Sequence, residues 1–220
     1  MALFDITKLN VAVHRLLEQT ENPRHRYMLK AYDRHRLLEV SGRYKEIFAP
    51  QMTVEQPVYH FHALGLSTTV AGREEVEGLY AEWARTGQCV MFVEDEQLAV
   101  CDTFIASVIP VGYQQMPGAV LRALGFDVDD EAATYVYKAS EQMIWPYDDR
   151  GRLIGEDVWE VEPEKAVIIK LDPADVITTA RAADLLGPLI KPLPSFEEAV
   201  VQAAVPQPRI PQVAAGTARR

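Results

Sequence analysis

Between Tyr32 and Trp83 the chain passes through a helix, a loop, one alternating strand and a second helix, and this succession limits the fold more than any other stretch. Asn22-Pro23 opens the first helix, with Asn22 as its cap and Pro23 in its first turn. The helix runs toward Tyr44 or Phe48, and Pro50 stops it. Met28, Ala31, His35 and Leu38 share one face, with Leu29, Tyr32 and Arg36 beside it. From Thr53 to His62 the residues alternate as in a strand. Val54, Gln56, Val58, His60 and His62 point one way, and Thr53, Glu55, Tyr59 and Phe61 point the other. Gly72 then starts a helix over Arg73 to Arg85, with Val76, Leu79, Tyr80 and Trp83 inward.

Strand patterns dominate the chain from Cys89 to Leu171. Cys89 to Val93 and Leu98 to Val111 read as strands joined by the acidic turn Glu94-Asp-Glu96. Pro117 to Asp130 reads as a crossover with a short helix near Ala119 to Leu124. Tyr135 to Tyr147 and Leu153 to Val161 form a hairpin about Asp148-Asp-Arg-Gly-Arg152, and Ala166 to Leu171 is a further strand. Helices before and among the strands, followed by a meander, make an α+β plan. The expected divisions are an N-terminal helical extension over 1–22, the main α+β domain over 23–171, a C-terminal helical extension over 172–204 and a disordered tail over 205–220.

Composition sets limits on partners. A net charge of −10 over 220 residues argues against nucleic acid, and the Arg24-His-Arg26 and Arg34-His-Arg36 clusters read as solvated helix edges. No apolar run is long enough to span a bilayer, and the first residues lack a signal-peptide pattern, so a cytoplasmic protein without membrane contact is expected. Cys89 and Cys101 stand at no zinc-ligand spacing and read as buried free thiols. No phosphate-binding glycine loop and no metal motif occurs, and no cofactor is expected.

The tyrosine on the early helix, the Val54-Glu-Gln-Pro-Val58 segment 24 positions after it at Gln56, and the helix begun by Gly72 together resemble the nuclear transport factor two-like superfamily. Within it they are similar to the ketosteroid isomerase and SnoaL-like branch, over roughly residues 24 to 162. The resemblance implies a cone-shaped, curved antiparallel sheet half-closed by N-terminal helices around an apolar pocket, and a homodimer. It implies that Tyr32 stabilises a developing enolate oxygen and that Glu141, allowing a slightly longer hairpin, is a second donor kept protonated by an apolar site. The isomerases carry a carboxylate base where this chain has Gln56, and an amide cannot take and return a proton. His60 and His62, on the same strand face as Gln56, are then the candidate bases, the alternative being that they satisfy core hydrogen bonds or lie at the exposed end of an extended hairpin. The pair Tyr32-Asp33 also resembles the early helix of scytalone dehydratase, which adds Asp33 to the candidates.

Asp102 lies in the apolar run Leu98 to Ile105, where a carboxylate needs a partner or a role. Val58, Trp145 and Trp159 are expected beside Gln56 as substrate-binding residues. The function implied is a cofactor-independent lyase or isomerase acting on an apolar carbonyl-bearing small molecule such as a steroid, polyketide or terpenoid. The alternative is a non-catalytic small-molecule-binding or partner-binding protein built on the same fold.

Overall fold

The computed structural model describes residues 4–201; the expected tail over 205–220, and the last residues of the C-terminal extension expected over 172–204, lie outside the described residues. Asp5 caps a short 3-10 turn at Ile6–Lys8, and α1 follows at Val11–Gln19. α2 spans Pro23–Val40. The Asn22 side chain accepts from the backbone N–H of Arg24 and of His25, and Pro23 sits where a missing N–H costs nothing. α2 ends earlier than the periodicity suggests. Gly42 takes φ +70°, and a separate 3-10 turn occupies Tyr44–Phe48. The helix is buried on more than one side, and both Arg36 and Glu39 lie inside with its apolar residues.

The strands are β1 (Thr53–Ala63), β2 (Leu66–Ala71), β3 (Met91–Glu94), β4 (Gln97–Val100), β5 (Phe104–Pro117), β6 (Thr134–Pro146), β7 (Leu153–Val161) and β8 (Val167–Lys170). α3 (Arg73–Thr86) follows β2, α4 (Gly118–Ala123) follows β5, and α5 (Thr179–Leu186) follows β8. All eight strands form a single sheet in the order β2-β1-β7-β6-β5-β3. β4 pairs with the first half of β5, and β8 with the first half of β6. The expected α+β plan holds, with one pairing that is parallel where an antiparallel sheet was expected: β1 runs alongside β7. The two strands are joined by most of the domain, so no tight turn constrains them to run opposite ways.

Two local details shape the sheet. The β1–β7 register shifts between Thr53 and Val58, and the β5–β6 register shifts between Ile109 and Gly112. Such irregularities bend a strand and increase its twist. At the first of them Gly155 packs so closely that a Cβ there would stand 1.7 Å from the Val58 carbonyl oxygen. Five strands in succession, β1, β7, β6, β5 and β3, consequently line one common cavity, with α2 and α3 across its inner side.

Sequence and structure part at three places. The Leu64 to Thr69 segment, between the strand and the helix read from the sequence, is the tip and return strand of the β1–β2 hairpin, turning through Leu64 and Gly65 at positive φ. The long strand expected from Leu98 breaks at Cys101, where the chain turns before β5 begins. Arg36, expected at a solvated helix edge, is buried. Both cysteines are free; Cys89 is buried and Cys101 half-buried, and burial pushes the Cys89 thiol up to about 11. Among the described residues no helix is long and apolar enough to cross a membrane.

Candidate active site

β6 builds the longest wall of the cavity. Its odd-numbered residues Tyr137, Ala139, Glu141, Met143 and Trp145 all point inward, as the two-residue period of a strand requires. β7 adds Glu156 and Val158, β1 adds Phe61 and Ala63, and α2 adds Arg36 and Glu39, one turn apart. Phe92, Tyr113 and Trp83 add to the aromatic part of a lining that is mostly apolar. The cavity holds about 110 Å³. That is the scale of the ~150 Å³ apolar cavity known to take benzene, so a single ring or a short chain is the natural occupant.

Four charged side chains interrupt this apolar surface. Arg36 Nη1 donates to Glu96 Oε1 at 2.9 Å and to the Tyr32 hydroxyl at 2.7 Å. Tyr32 in turn donates to Glu96 Oε1 at 2.8 Å, and Ser107 Oγ donates to the same oxygen at 2.7 Å. This bundle fixes one edge of the guanidinium. Among the described residues no other Arg36 nitrogen has a hydrogen-bond partner, and Arg36 borders the cavity. Glu156 Oε1 accepts from the Tyr80 hydroxyl at 3.1 Å and stands 3.3 Å from His35 Nε2, and Tyr80 also reaches Tyr59 at 3.2 Å.

The remaining two carboxyls are different. Glu39 and Glu141 border the cavity, and among the described residues neither side chain has a hydrogen-bond partner or an ion pair. Burial pushes the Glu39 carboxyl up to about 8; neighbouring Glu156 adds to the rise and Arg36 opposes it. Burial pushes Glu141 up to about 7, with Arg36 pulling down and Glu160 pushing up. Removing a carboxylate from water disfavours its charged form, and the single guanidinium nearby offsets only part of that cost. Near neutral pH the pair therefore holds one group that can accept a proton and one that can donate.

Of the residues expected from the sequence, Glu141 and Trp145 border the cavity. Tyr32 lies just behind the wall, its ring edge-on to Trp145 at 4.7 Å and its hydroxyl occupied by Arg36 and Glu96. Asp33 faces α1, accepting from Asn10 Nδ2 at 2.9 Å and lying 3.0 Å from His14 Nε2. Asp102 is in the exposed turn between β4 and β5, 2.7 Å from His25 Nε2. β1 alternates as expected, but Phe61 and Ala63 supply the face toward the cavity. His60 pairs with Thr69 and His62 with Ser67 on the opposite face, where His62 also stacks on Trp159 at 5.0 Å. Val58 shares that face, and Gln56 borders a shallow surface cleft beside Gly72.

Sequence reasoning missed Arg36, Glu39, Glu96 and Glu156. A usable signal existed for two of them. Glu39 sits one turn beyond His35 and Arg36, on the same face of α2 as Met28 and Tyr32, and Glu156 shares the strand phase of Val158. Glu96 carried no such signal, because an acidic turn ordinarily faces water.

No protein-family model matches the chain, and no curated protein matches it. Solved structures similar to it include a phenazine biosynthesis-related protein from Pseudomonas aeruginosa, with 11% identity and a TM-score of 0.42 over 68% of this chain and 83% of that one. The CaMKII hub of S. rosetta has 12% identity and a TM-score of 0.41 over 62% and 96%. An NTF2-like protein from Anabaena variabilis ATCC 29413 has 7% identity and a TM-score of 0.40 over 73% and 95%. At these values no residue's role is carried across from any of them.

Proposed function

We propose that the protein is a cofactor-independent lyase or isomerase that moves a proton on a small carbonyl-bearing molecule held in the central cavity. The observation that carries this reading is the pair of unpartnered carboxyls, Glu39 and Glu141, on the wall of an apolar cavity beside Arg36. Ionised Glu141 takes a proton from the carbon next to the substrate carbonyl. The electron pair moves onto the carbonyl oxygen, where the free N–H groups of Arg36 and the protonated carboxyl of Glu39 stabilise it. Returning the proton to another carbon completes an isomerisation. Delivering the Glu39 proton to a departing hydroxyl expels water and completes a dehydration.

In this scheme Arg36 takes the part that the resemblance suggested for Tyr32. Tyr32, Glu96 and Ser107 are positioning residues that aim the guanidinium. A cavity of about 110 Å³ favours a one-ring or short-chain compound over a steroid skeleton. Deuterium uptake from D2O at the carbons beside the carbonyl of small cyclic ketones and enones tests the scheme directly. Wild-type protein should catalyse exchange, and Glu141→Gln should lower the rate by about 10²- to 10⁴-fold while ketone binding persists. Ketones that bind wild type without any exchange would leave a small-molecule-binding protein.

The homodimer implied by the resemblance is proposed through the outer sheet face, where Trp159, Val108 and Phe104 are exposed. Sedimentation of Trp159→Glu against wild type tests it, a shift to monomer being the expected result.

A further inference from the structure

The charges around the cavity do not balance. Among its described lining residues Arg36 is the one cation, and buried Glu96 already answers it at 2.9 Å. Glu156 has Tyr80 and His35 beside it. That leaves Glu39, only 7% exposed, and Glu141, both bordering the same space without a protein partner among the described residues. A carboxyl drawn largely out of water without a partner is costly, and buried Glu39 and half-buried Glu141 face the same cavity. Around them stand Phe61, Trp83, Phe92 and Tyr137, whose ring faces attract positive charge. Two carboxyls among aromatic and aliphatic walls suit an organic cation, whose body the apolar lining can hold.

We propose that the cavity selects a compact organic cation: a protonated amine on a one-ring or short-chain skeleton, its ammonium against Glu39 and Glu141 and its body against the aromatic walls. This inference rests on the central cavity being the binding site and not on the proton-transfer scheme, because carboxyls ionised against an ammonium anchor it and no longer serve as acid and base. An ammonium group brings three donors to two carboxyls that have none. The unbonded nitrogens of Arg36 remain free for an oxygen elsewhere on the same molecule.

The groups facing this pair define its pH response. Arg36 from α2 and Glu156 from β7 act on Glu39 together with Glu141, while Arg36 and Glu160 act on Glu141. His35, Tyr80 and Tyr59 lie behind Glu156 and close that side. In the empty cavity both carboxyls hold protons well above the ordinary carboxylate range. An arriving ammonium favours their ionised forms, so binding expels protons and strengthens as the pH rises from about 6 to about 8.

Calorimetry with benzylammonium and with benzyl alcohol, a neutral molecule of nearly the same shape, tests the proposal. At pH about 8 the ammonium should bind at least about tenfold tighter. Its apparent enthalpy should change with the ionisation enthalpy of the buffer, reporting proton release, and its advantage should shrink near pH 6. The double variant Glu39→Gln/Glu141→Gln, checked for folding by its melting transition, should bind both molecules alike. Equal or tighter binding of the alcohol by wild type, or no binding of the ammonium, overturns the proposal without need of any variant. Deuterium exchange into neutral ketones with no ammonium preference would sink the cation selectivity and leave the proton-transfer reading standing. Ammonium preference without exchange would uphold the selectivity and sink the proton-transfer reading.

Discussion

Arg36 and Glu96 meet at 2.9 Å with neither side chain more than 7% exposed, although sixty residues separate them. Glu96 Oε1 receives Arg36, Tyr32 and Ser107 together, and among the described residues its second oxygen has no partner. Removing one member of a buried pair strands the other charge. Arg36→Met should therefore lower unfolding free energy by about 3–5 kcal/mol in urea titrations. Arg36→Met/Glu96→Leu, which removes both charges, should recover much of that loss. A double variant no more stable than the single one would show that the pair is not the source.

Tyr32→Phe keeps the ring against Trp145 and deletes only the hydroxyl that links Arg36 to Glu96. Hydrogen bonds to charged groups contribute about 1.5–3 kcal/mol, and a loss of that size is expected in the same titrations. Exchange activity should fall too, through a loosened Arg36. Arg36→Lys should lose more activity than Tyr32→Phe, because lysine cannot present the same planar set of donors.

The raised carboxyls set the sign of the pH dependence. Glu39 and Glu141 titrate near 8 and 7 in the folded protein, against 4.5 for an ordinary glutamate. Between those values the folded state holds protons that the unfolded state has released. Their contribution to stability is thus full below about 4.5 and is lost as the pH climbs through about 7 and 8. Urea titrations across this window should show stability falling with pH, and Glu39→Gln/Glu141→Gln should flatten the fall. kcat/KM for exchange should be bell-shaped, rising as the base ionises and declining as the acid does; the two limbs belong to the coupled pair.

His60→Ala/His62→Ala should leave exchange unchanged and alter stability by no more than about 0.5 kcal/mol each, because both rings lie on the outer face with partners from β2. A loss of turnover in this double variant would bring the imidazoles back into the reaction.

Gly155 and Gly78 make opposite predictions from the same substitution. A methyl group at Gly155 would stand 1.7 Å from the Val58 carbonyl, so Gly155→Ala should force β1 and β7 apart and cost about 3 kcal/mol or more. Gly78 sits on the exposed side of α3, where an added Cβ meets nothing within 4 Å. Gly78→Ala should stabilise by roughly 0.5–1 kcal/mol. Parallel thermal melts of the two variants check both.

Much of the fold could be read from local chemistry. The cap at Asn22-Pro23, the glycine start of α3 and the β6–β7 turn all act within a few residues of themselves, and each lies where the sequence indicates. The cavity was less legible because its key contacts are distant in sequence. The alternation of β1 gives two faces but not which one meets α2; the parallel pairing with β7 decides that, turning Tyr59 and Phe61 in and the histidines out. Glu96 looks like a solvated turn residue until α2 folds across it with Arg36. Glu141 is legible through the resemblance and not through any pattern of its own, since a lone glutamate in a strand ordinarily faces water.

The β1–β7 ladder also governs when this protein can become itself. It joins Val58 to Gly155, roughly a hundred residues further along, and no local turn brings them together. A ribosome must have released the chain past β7 before the cavity acquires its β7 wall. Until then β1 and the β1–β2 hairpin present an unpaired edge to their surroundings. Assembly that waits on so distant a pairing is slowed relative to folds built from local contacts. Glu39 precedes β1 and Glu141 lies on β6, which β7 joins to β1, so the proposed proton transfer cannot precede completion of the sheet.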